Sequence, residues 1–203
     1  MTDRGVLLLH GDADRAVAWA RRGLVAVSVV PLERGWVGVV ASASRAAADA
    51  PYDDGVAALL ARPVPRRLCP ALGLAHVGER LMVAVTSAGL QTRRMWLAWE
   101  PGAGLVRPGA LPITTVATLA RAVGAPQSVE VASRLLRDGR GDSDTVAAEL
   151  LAALGLPGGA LASGRLIGSD LEGAEHVEPE AQGVRRFNRR VRDEERWREE
   201  IGG

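Results

Sequence analysis

Short apolar runs alternate with helix-like apolar spacing over the first 111 residues of the chain. The strand-like runs are rich in Val and Leu and are separated by turn residues, as expected for buried strands. The first four runs are "GVLLLH" (residues 5–10), "LVAVSVV" (24–30), "GWVGVVAS" (35–42) and "RLMVAVTS" (80–87). A fifth, "RRMWLAWE" (93–100), precedes the turn "PGAG" and the extended piece "LVRP".

Two helices are predicted between these strands. Asp12 or Asp14 can cap the first, which ends at Gly23. The Asp pair of "PYDDG" can cap the second, which Pro63 ends. Up to residue 87 the order is therefore strand, helix, strand, strand, helix, strand.

This order is typical of the ferredoxin-like fold. We predict an α/β (α+β) protein with a ferredoxin-like βαββαβ first half and an added hairpin. Both alternating sets of strand residues are apolar, so the hairpin or the C-terminal helices should cover the second sheet face. Trp96 and Trp99 have an odd separation, which predicts that they lie on opposite faces.

The second half of the chain is predicted to be helical. The segments "ITTVATLARAVG", "SVEVASRLLRDG" and "DTVAAELLAALG" each end at a Gly and have apolar residues at helical spacing. We predict a sheet domain at residues 1–111 and a helical region packed on it at 112–156. The Gly, Pro and acidic residues of 157–183 indicate a linker, and 184–203 a tail helix.

Composition narrows the partners and the compartment. All 25 basic residues are Arg, but the net charge of +1 gives no global attraction to nucleic acid or to an anionic membrane. The single Cys69 excludes an intramolecular disulfide and a cysteine-rich zinc site. No signal peptide or membrane-spanning apolar run is visible. We expect a soluble, cytoplasmic protein with no membrane partner.

Two short motifs resemble parts of hydrolases. "LLLHG" (7–11) resembles an α/β-hydrolase oxyanion-hole loop, but that fold also needs a Gly-x-Ser-x-Gly elbow, and the nearest string, "VTSAG" (85–89), lacks its first glycine. "GDSD" (141–144) resembles the nucleophile block of another esterase group. It lies between predicted helices, where Asp142 or Ser143 fits a helix N-cap. We predict no catalytic residue and no cofactor.

A metal site is a weak alternative at the first turn. His10, Asp12 and Asp14 alternate along an extended segment and combine imidazole with carboxylates, which bind divalent ions. Asp12 and Asp14 are more simply explained as cap and first-turn residues of the helix. We therefore predict no metal ligand and keep a small hydrolase or metal-dependent enzyme as the last alternative.

A nucleic-acid-binding function is the first alternative. Residues 115–136 resemble a degenerate helix-turn-helix in their first half, whereas Glu130 and Ser133 occupy positions that a recognition helix would bury. Only Arg134 and Arg137 could reach phosphate from this segment. A helical pair in the core is the interpretation that we favour.

The tail carries one apolar stripe. On a helix, its large apolar residues fall within an arc of about 140°. These residues are Val184, Phe187, Val191, Trp197 and Ile201.

The charges of the tail are segregated along its length. Arginines dominate the first half and acidic residues the second, which opposes the helix macrodipole and orients the i to i+4 pairs unfavourably. Such a helix should be only marginally stable in isolation. Docking into this protein, a copy of it, or another protein should stabilise it. A solvated, frayed terminus is the alternative.

The tail gives the leading functional hypothesis. We predict a non-catalytic protein-interaction, assembly or accessory protein, which binds a protein partner or itself through the tail. The predicted partner-binding residues are the apolar anchors Phe187, Val191, Trp197 and Ile201 with the flanking Arg185, Arg186, Arg189 and Arg190.

Overall fold

The computed structural model describes residues 4–88 and 93–202, except for the side chains of residues 199, 201 and 202. Within these residues, eight strands form one antiparallel sheet. The strands are β1 (Arg4–His10), β2 (Val27–Pro31), β3 (Trp36–Ala41), β4 (Ala71–Val77), β5 (Arg80–Thr86), β6 (Arg94–Glu100), β7 (Gly104–Val106) and β8 (Glu175–Val177). The helices are α1 (Ala13–Ala20), α2 (Gly55–Ala61), α3 (Val116–Ala122), α4 (Val129–Asp138), α5 (Ser143–Ala153), α6 (Gly159–Ala162) and α7 (Ala181–Gly202).

The strand order is β7-β6-β5-β4-β1-β3-β2-β8. The mixed α/β class is confirmed, but the sheet differs from a simple four-stranded βαββαβ arrangement because both of its edges are extended. β5, β6 and β7 continue the sheet beyond β4, and β8 adds a strand outside β2.

Strand β4, which pairs with β1, was not predicted from the sequence. We expected residues 80–87 to be the fourth strand, but Ala71–Val77 takes that place and residues 80–86 form β5. The segment "ALGLAHV" lacks a polar face because β4 is buried on both sides. A Cβ at Gly73 would meet Leu60 of α2 at 2.7 Å, so this small residue lets α2 lie close to the sheet.

Both faces of the sheet are covered, as the apolar strands predict. Val6 and Leu8 of β1 belong to a core cluster with α3, α4, α5 and α6, whereas Leu7 and Leu9 belong to a second cluster with α1 and α2. Helices α3 to α6 therefore cover one face, and α1 and α2 cover the other. Trp99 is buried in the first cluster and Trp96 packs beside the second, so their predicted opposite orientation is confirmed.

Helix caps agree with the sequence pattern. Asp12 accepts a hydrogen bond from the Arg15 backbone N–H (3.2 Å), and Asp54 accepts one from that of Ala57 (2.6 Å). Asp142 is the N-cap of α5 and accepts from the Thr145 N–H (2.8 Å). The carboxylates that could have suggested chemistry thus fix the starts of helices.

Residues 157–183 carry regular structure rather than forming an open linker. Leu161 and Ala162 of α6 are buried in the first cluster, and β8 pairs with β2 through Val177 opposite Val27. Glycines that suggested flexibility instead form turns. Gly158, for example, has a φ of 92° at the start of α6. The tail helix accordingly begins at Ala181. None of the helices described is both long and apolar enough to cross a membrane.

Candidate functional site

The C-terminal helix α7 is 22 residues long, or about 33 Å at 1.5 Å per residue. Its start is fixed to the body of the protein, since the Glu180 backbone N–H donates to the carbonyl of Arg21 at the end of α1 (2.7 Å). We call residues 181–192 the proximal half of α7 and residues 193–202 the distal half.

Asn188 is the main polar attachment of the proximal half. Its buried side-chain oxygen accepts the Asp49 backbone N–H (3.1 Å), and its amide nitrogen donates to Asp49 Oδ1 (3.0 Å) and to the Ala47 carbonyl (3.4 Å). Arg192 Nε lies 3.6 Å from Asp49 Oδ2, and Val191 is only 6% exposed. The oxygen and the nitrogen of the Asn188 side-chain amide thus both attach the middle of α7 to the loop before α2.

Sequence reasoning missed Asn188. A signal was present, because Asn is a poor residue for a helix interior and stands alone among charged neighbours next to the apolar stripe. Its partners are about 140 positions away in the chain, with Asp49 separated by 139 residues, so the contact itself had no local pattern.

A groove lies between α2 and the proximal half of α7. Its volume is about 700 Å³. Ala57, Ala58 and Ala61 line it on the α2 side, where their spacing places them on one helical face. On the α7 side, Phe187 borders it and meets Tyr52 edge to face, with ring centroids 5.5 Å apart. The small alanines leave open space where two helices would otherwise pack.

Four arginines line the groove: Arg22, Arg62, Arg186 and Arg190. Asp54 and Glu180 also line it, but Asp54 already caps α2. Within the described residues, no ion pair joins any of the four arginines to a carboxylate. The groove therefore combines an apolar floor with an excess of positive charge.

Arg62 is the most constrained of these arginines. Its guanidinium lies 4.2 Å from the centroid of the Trp19 ring and donates to the Ala20 carbonyl (3.4 Å). A Cβ at Gly23 would come within 3.0 Å of the guanidinium, so this glycine provides its space. Burial, with the nearby charge of Arg22, lowers the pKa of Arg62 to about 10.

The distal half of α7 differs from the proximal half in exposure. Its described side chains are exposed, and Trp197 is 63% exposed. Two ion pairs lie along it, between Arg196 and Asp193 (3.5 Å) and between Arg198 and Glu194 (3.6 Å). Such exposed pairs stabilise a helix by only about 0.3–0.5 kcal/mol.

The predicted partner-binding residues are divided between these two halves. Phe187 and Val191 pack on the body of the same chain, while Trp197 stays exposed. Arg185, Arg186, Arg189 and Arg190 are all exposed, and Arg186 and Arg190 face the groove. The side chain of Ile201 lies outside the described residues.

The structure does not bring His10, Asp12 and Asp14 into a site. His10 is exposed and lies edge to face with Trp36 (5.3 Å between centroids), and Asp12 caps α1. Across residues 4–88 and 93–202, no three His, Cys, Asp or Glu side chains are grouped so that they could hold a metal ion.

The helical pair at residues 115–136 belongs to the core. Leu119 and Leu136 are fully buried against the sheet. Arg134 pairs with Glu130 on the same helix (2.9 Å), and Arg137 donates to the Ser133 carbonyl (3.1 Å). Both predicted phosphate contacts are thus engaged locally.

A buried polar cluster joins the sheet to α5 and α6. His76 Nδ1 lies 3.1 Å from Ser143 Oγ, and its Nε2 donates to the Ala162 carbonyl (2.8 Å). Nε2 therefore carries a proton, while Nδ1 faces both the Ser143 hydroxyl and, at 3.1 Å, Asp144 Oδ1. Burial is the main cause that lowers the pKa of His76, and the charge of Arg4 adds to it. Arg4 itself pairs with Asp144, whose carboxylate lies near Nδ1.

This serine-histidine pair was not predicted, because the sequence gives no signal that β4 and α5 are neighbours. His76 and Ser143 are only 4% and 5% exposed, and neither lines the groove. The pair is therefore placed as an internal link and not as a nucleophile accessible to a substrate.

In comparisons with known proteins, no family model, no curated protein and no solved structure matches the chain.

Proposed function

We propose that the protein is a non-catalytic interaction or assembly component of the cytoplasm, and that the distal half of α7 binds its protein partner. The observation that carries the proposal is the division of α7. Its proximal half is fixed to the body by Asn188 and Val191, whereas its distal half exposes Trp197. A large aromatic side chain that is exposed on a fixed support is typical of an interaction hot spot.

The proximal half makes the distal half a better binding element. A helix that is already attached for about half its length loses less conformational freedom on binding than a free peptide does. The acidic residues around Trp197 supply a polar rim, which sets the orientation of the partner.

The experiment compares the full chain with a Trp197→Ala variant and with a chain that ends after Arg192. Residues 175–192 are kept in both because they include β8 and the anchored part of α7. Arg196→Ala, an exposed change on the same helix, is the matched control. Light scattering gives the oligomeric state, and cross-linking in native extract gives the partners.

We expect both the truncation and Trp197→Ala to abolish an association that Arg196→Ala retains. An unchanged oligomeric state together with an unchanged set of cross-linked partners would contradict the proposed function.

A further inference from the structure

We propose that the partner is a second copy of this chain, and that the distal half of each α7 lies in the groove of the other copy, antiparallel to the proximal half of α7 there. This inference rests on the proposed function, since it names the partner of the same helix.

The two surfaces have opposite charge. The groove is lined by Arg22, Arg62, Arg186 and Arg190 around an apolar floor. Trp197 has acidic helical neighbours at three and four positions away: Asp193, Glu194 and Glu200. Arg196 and Arg198 also flank Trp197, but the five acidic residues of the distal half outnumber these two arginines, so the distal half complements the excess of positive charge in the groove.

The groove has room for this aromatic side chain. Its volume of about 700 Å³ lies within the roughly 300–1,000 Å³ typical of sites that enclose a drug-sized group. Ala57, Ala58 and Ala61 form a floor without large side chains, and Phe187 stands at the side. An indole entering here would meet an aromatic edge and a row of methyl groups.

The lengths also match. The distal half spans ten residues, or about 15 Å, and the part of α7 that lines the groove, from Gln182 to Arg190, spans about 13.5 Å. In a two-fold antiparallel pair, each step forward on one helix is a step back on the other. Placing Trp197 of one copy opposite Phe187 of the other therefore places Glu194 opposite Arg190.

This arrangement gives a reason for the charge pattern of α7. Within one helix, basic residues near the N-terminus and acidic residues near the C-terminus oppose the macrodipole. Between two antiparallel helices, the same pattern places the basic half of each beside the acidic half of the other. The intrachain pair of Glu194 with Arg198 is exposed, so exchanging it for an interchain contact loses little.

The test is a charge exchange at the pair that the two-fold arrangement predicts. Arg190→Glu places like charges at both Glu194 contacts of the dimer, and Glu194→Arg does the same with the opposite sign. When the two variants are mixed, each of the two contacts in the mixed dimer joins a Glu to an Arg. In a dimer of two R190E/E194R double-variant chains, the same attraction between the two copies is restored.

Sedimentation equilibrium of the purified full chain measures the association. We expect a dimer that weakens with added salt, and a dissociation constant raised about tenfold or more in each single variant. The equimolar mixture and the double variant should both regain the dimer. Recovery in the mixture would also show that the single variants are folded.

Two results would overturn the inference: a wild-type chain that is monomeric at every concentration, or single variants whose association is not regained on mixing. A monomeric wild type whose cross-linked partners still depend on Trp197 would overturn the self-association alone and leave the proposed function standing. Loss of any Trp197 dependence would instead remove the proposed function.

Discussion

The sheet buries whole side chains on both of its faces. In contrast, α7 is attached to the rest of the protein mainly by one buried valine, one asparagine and an edge-on aromatic pair. Apolar burial is non-directional and grows with area, so the sheet and its helices should unfold together. The few polar contacts of α7 act at single points and can open separately. A stable body can therefore support a helix that is ordered yet able to open separately.

The largest effect is expected in the helical layer of the body. Leu136 of α4 is fully buried against the sheet, so Leu136→Ala should lower the free energy of unfolding by about 2–5 kcal/mol through lost burial and a cavity. Val131 on the same helix is 55% exposed, and Val131→Ala should change that free energy by only about 0.5 kcal/mol. Urea unfolding measures both. Equal effects would show that α4 is not part of the core.

A smaller effect is expected at His76, the buried link between sheet and helices. Burial holds its folded-state pKa below the ordinary value of 6.5, so the unfolded chain takes up the proton more readily. Stability from the neutral imidazole is complete above pH 6.5 and is lost as the pH falls from there towards the folded-state pKa.

The measurement compares the wild type with His76→Gln, which keeps a donor and an acceptor but does not titrate. The variant should be less stable by about 1–3 kcal/mol at pH 8, because it holds the Ser143 and Ala162 contacts less well. This difference should shrink as the pH is lowered from 7 to 5. A constant difference would mean that the folded-state pKa of His76 is not lowered, and a growing difference would mean that the protonated imidazole is stabilised in the folded state.

Local pattern was sufficient for much of the body. The apolar runs located β1, β2, β3, β5 and β6, and residues such as Asp12 and Asp142 marked helix starts because capping is a local interaction. Apolar residues at both alternating positions of β1 also indicated a sheet covered on both sides. What failed was β4, whose sequence "ALGLAHV" has Ala, Gly and His at most of the positions where the other buried strands have branched residues.

Only part of the candidate site could be predicted from the sequence. The apolar stripe of α7 follows from helical periodicity, and it identified Val191 and Trp197 without showing that one is buried and the other exposed. The groove and the Asn188 contacts depend on α7 meeting α2 and the loop at Asp49, which are more than 100 residues away in the chain. Glycines at 157–183 suggested a linker because the same residue serves both flexible segments and tight turns.

The smallest effect is expected at the attachment of α7, and it is the one that separates the helix from the body. Asn188→Ala removes three hydrogen bonds to residues 47–49, but these lie near the surface where water can replace part of them. We expect a loss of about 1 kcal/mol, confined to α7, which would speed exchange of its amide hydrogens about fivefold. Amides of β1 and β4 should exchange as in the wild type, since their opening requires global unfolding. Arg189→Ala, an exposed neighbour on the same helix, is the control and should leave both regions unchanged. Faster exchange in β1 and β4 together with α7 would show that the helix and the sheet open as one unit, and that the contrast between them is wrong.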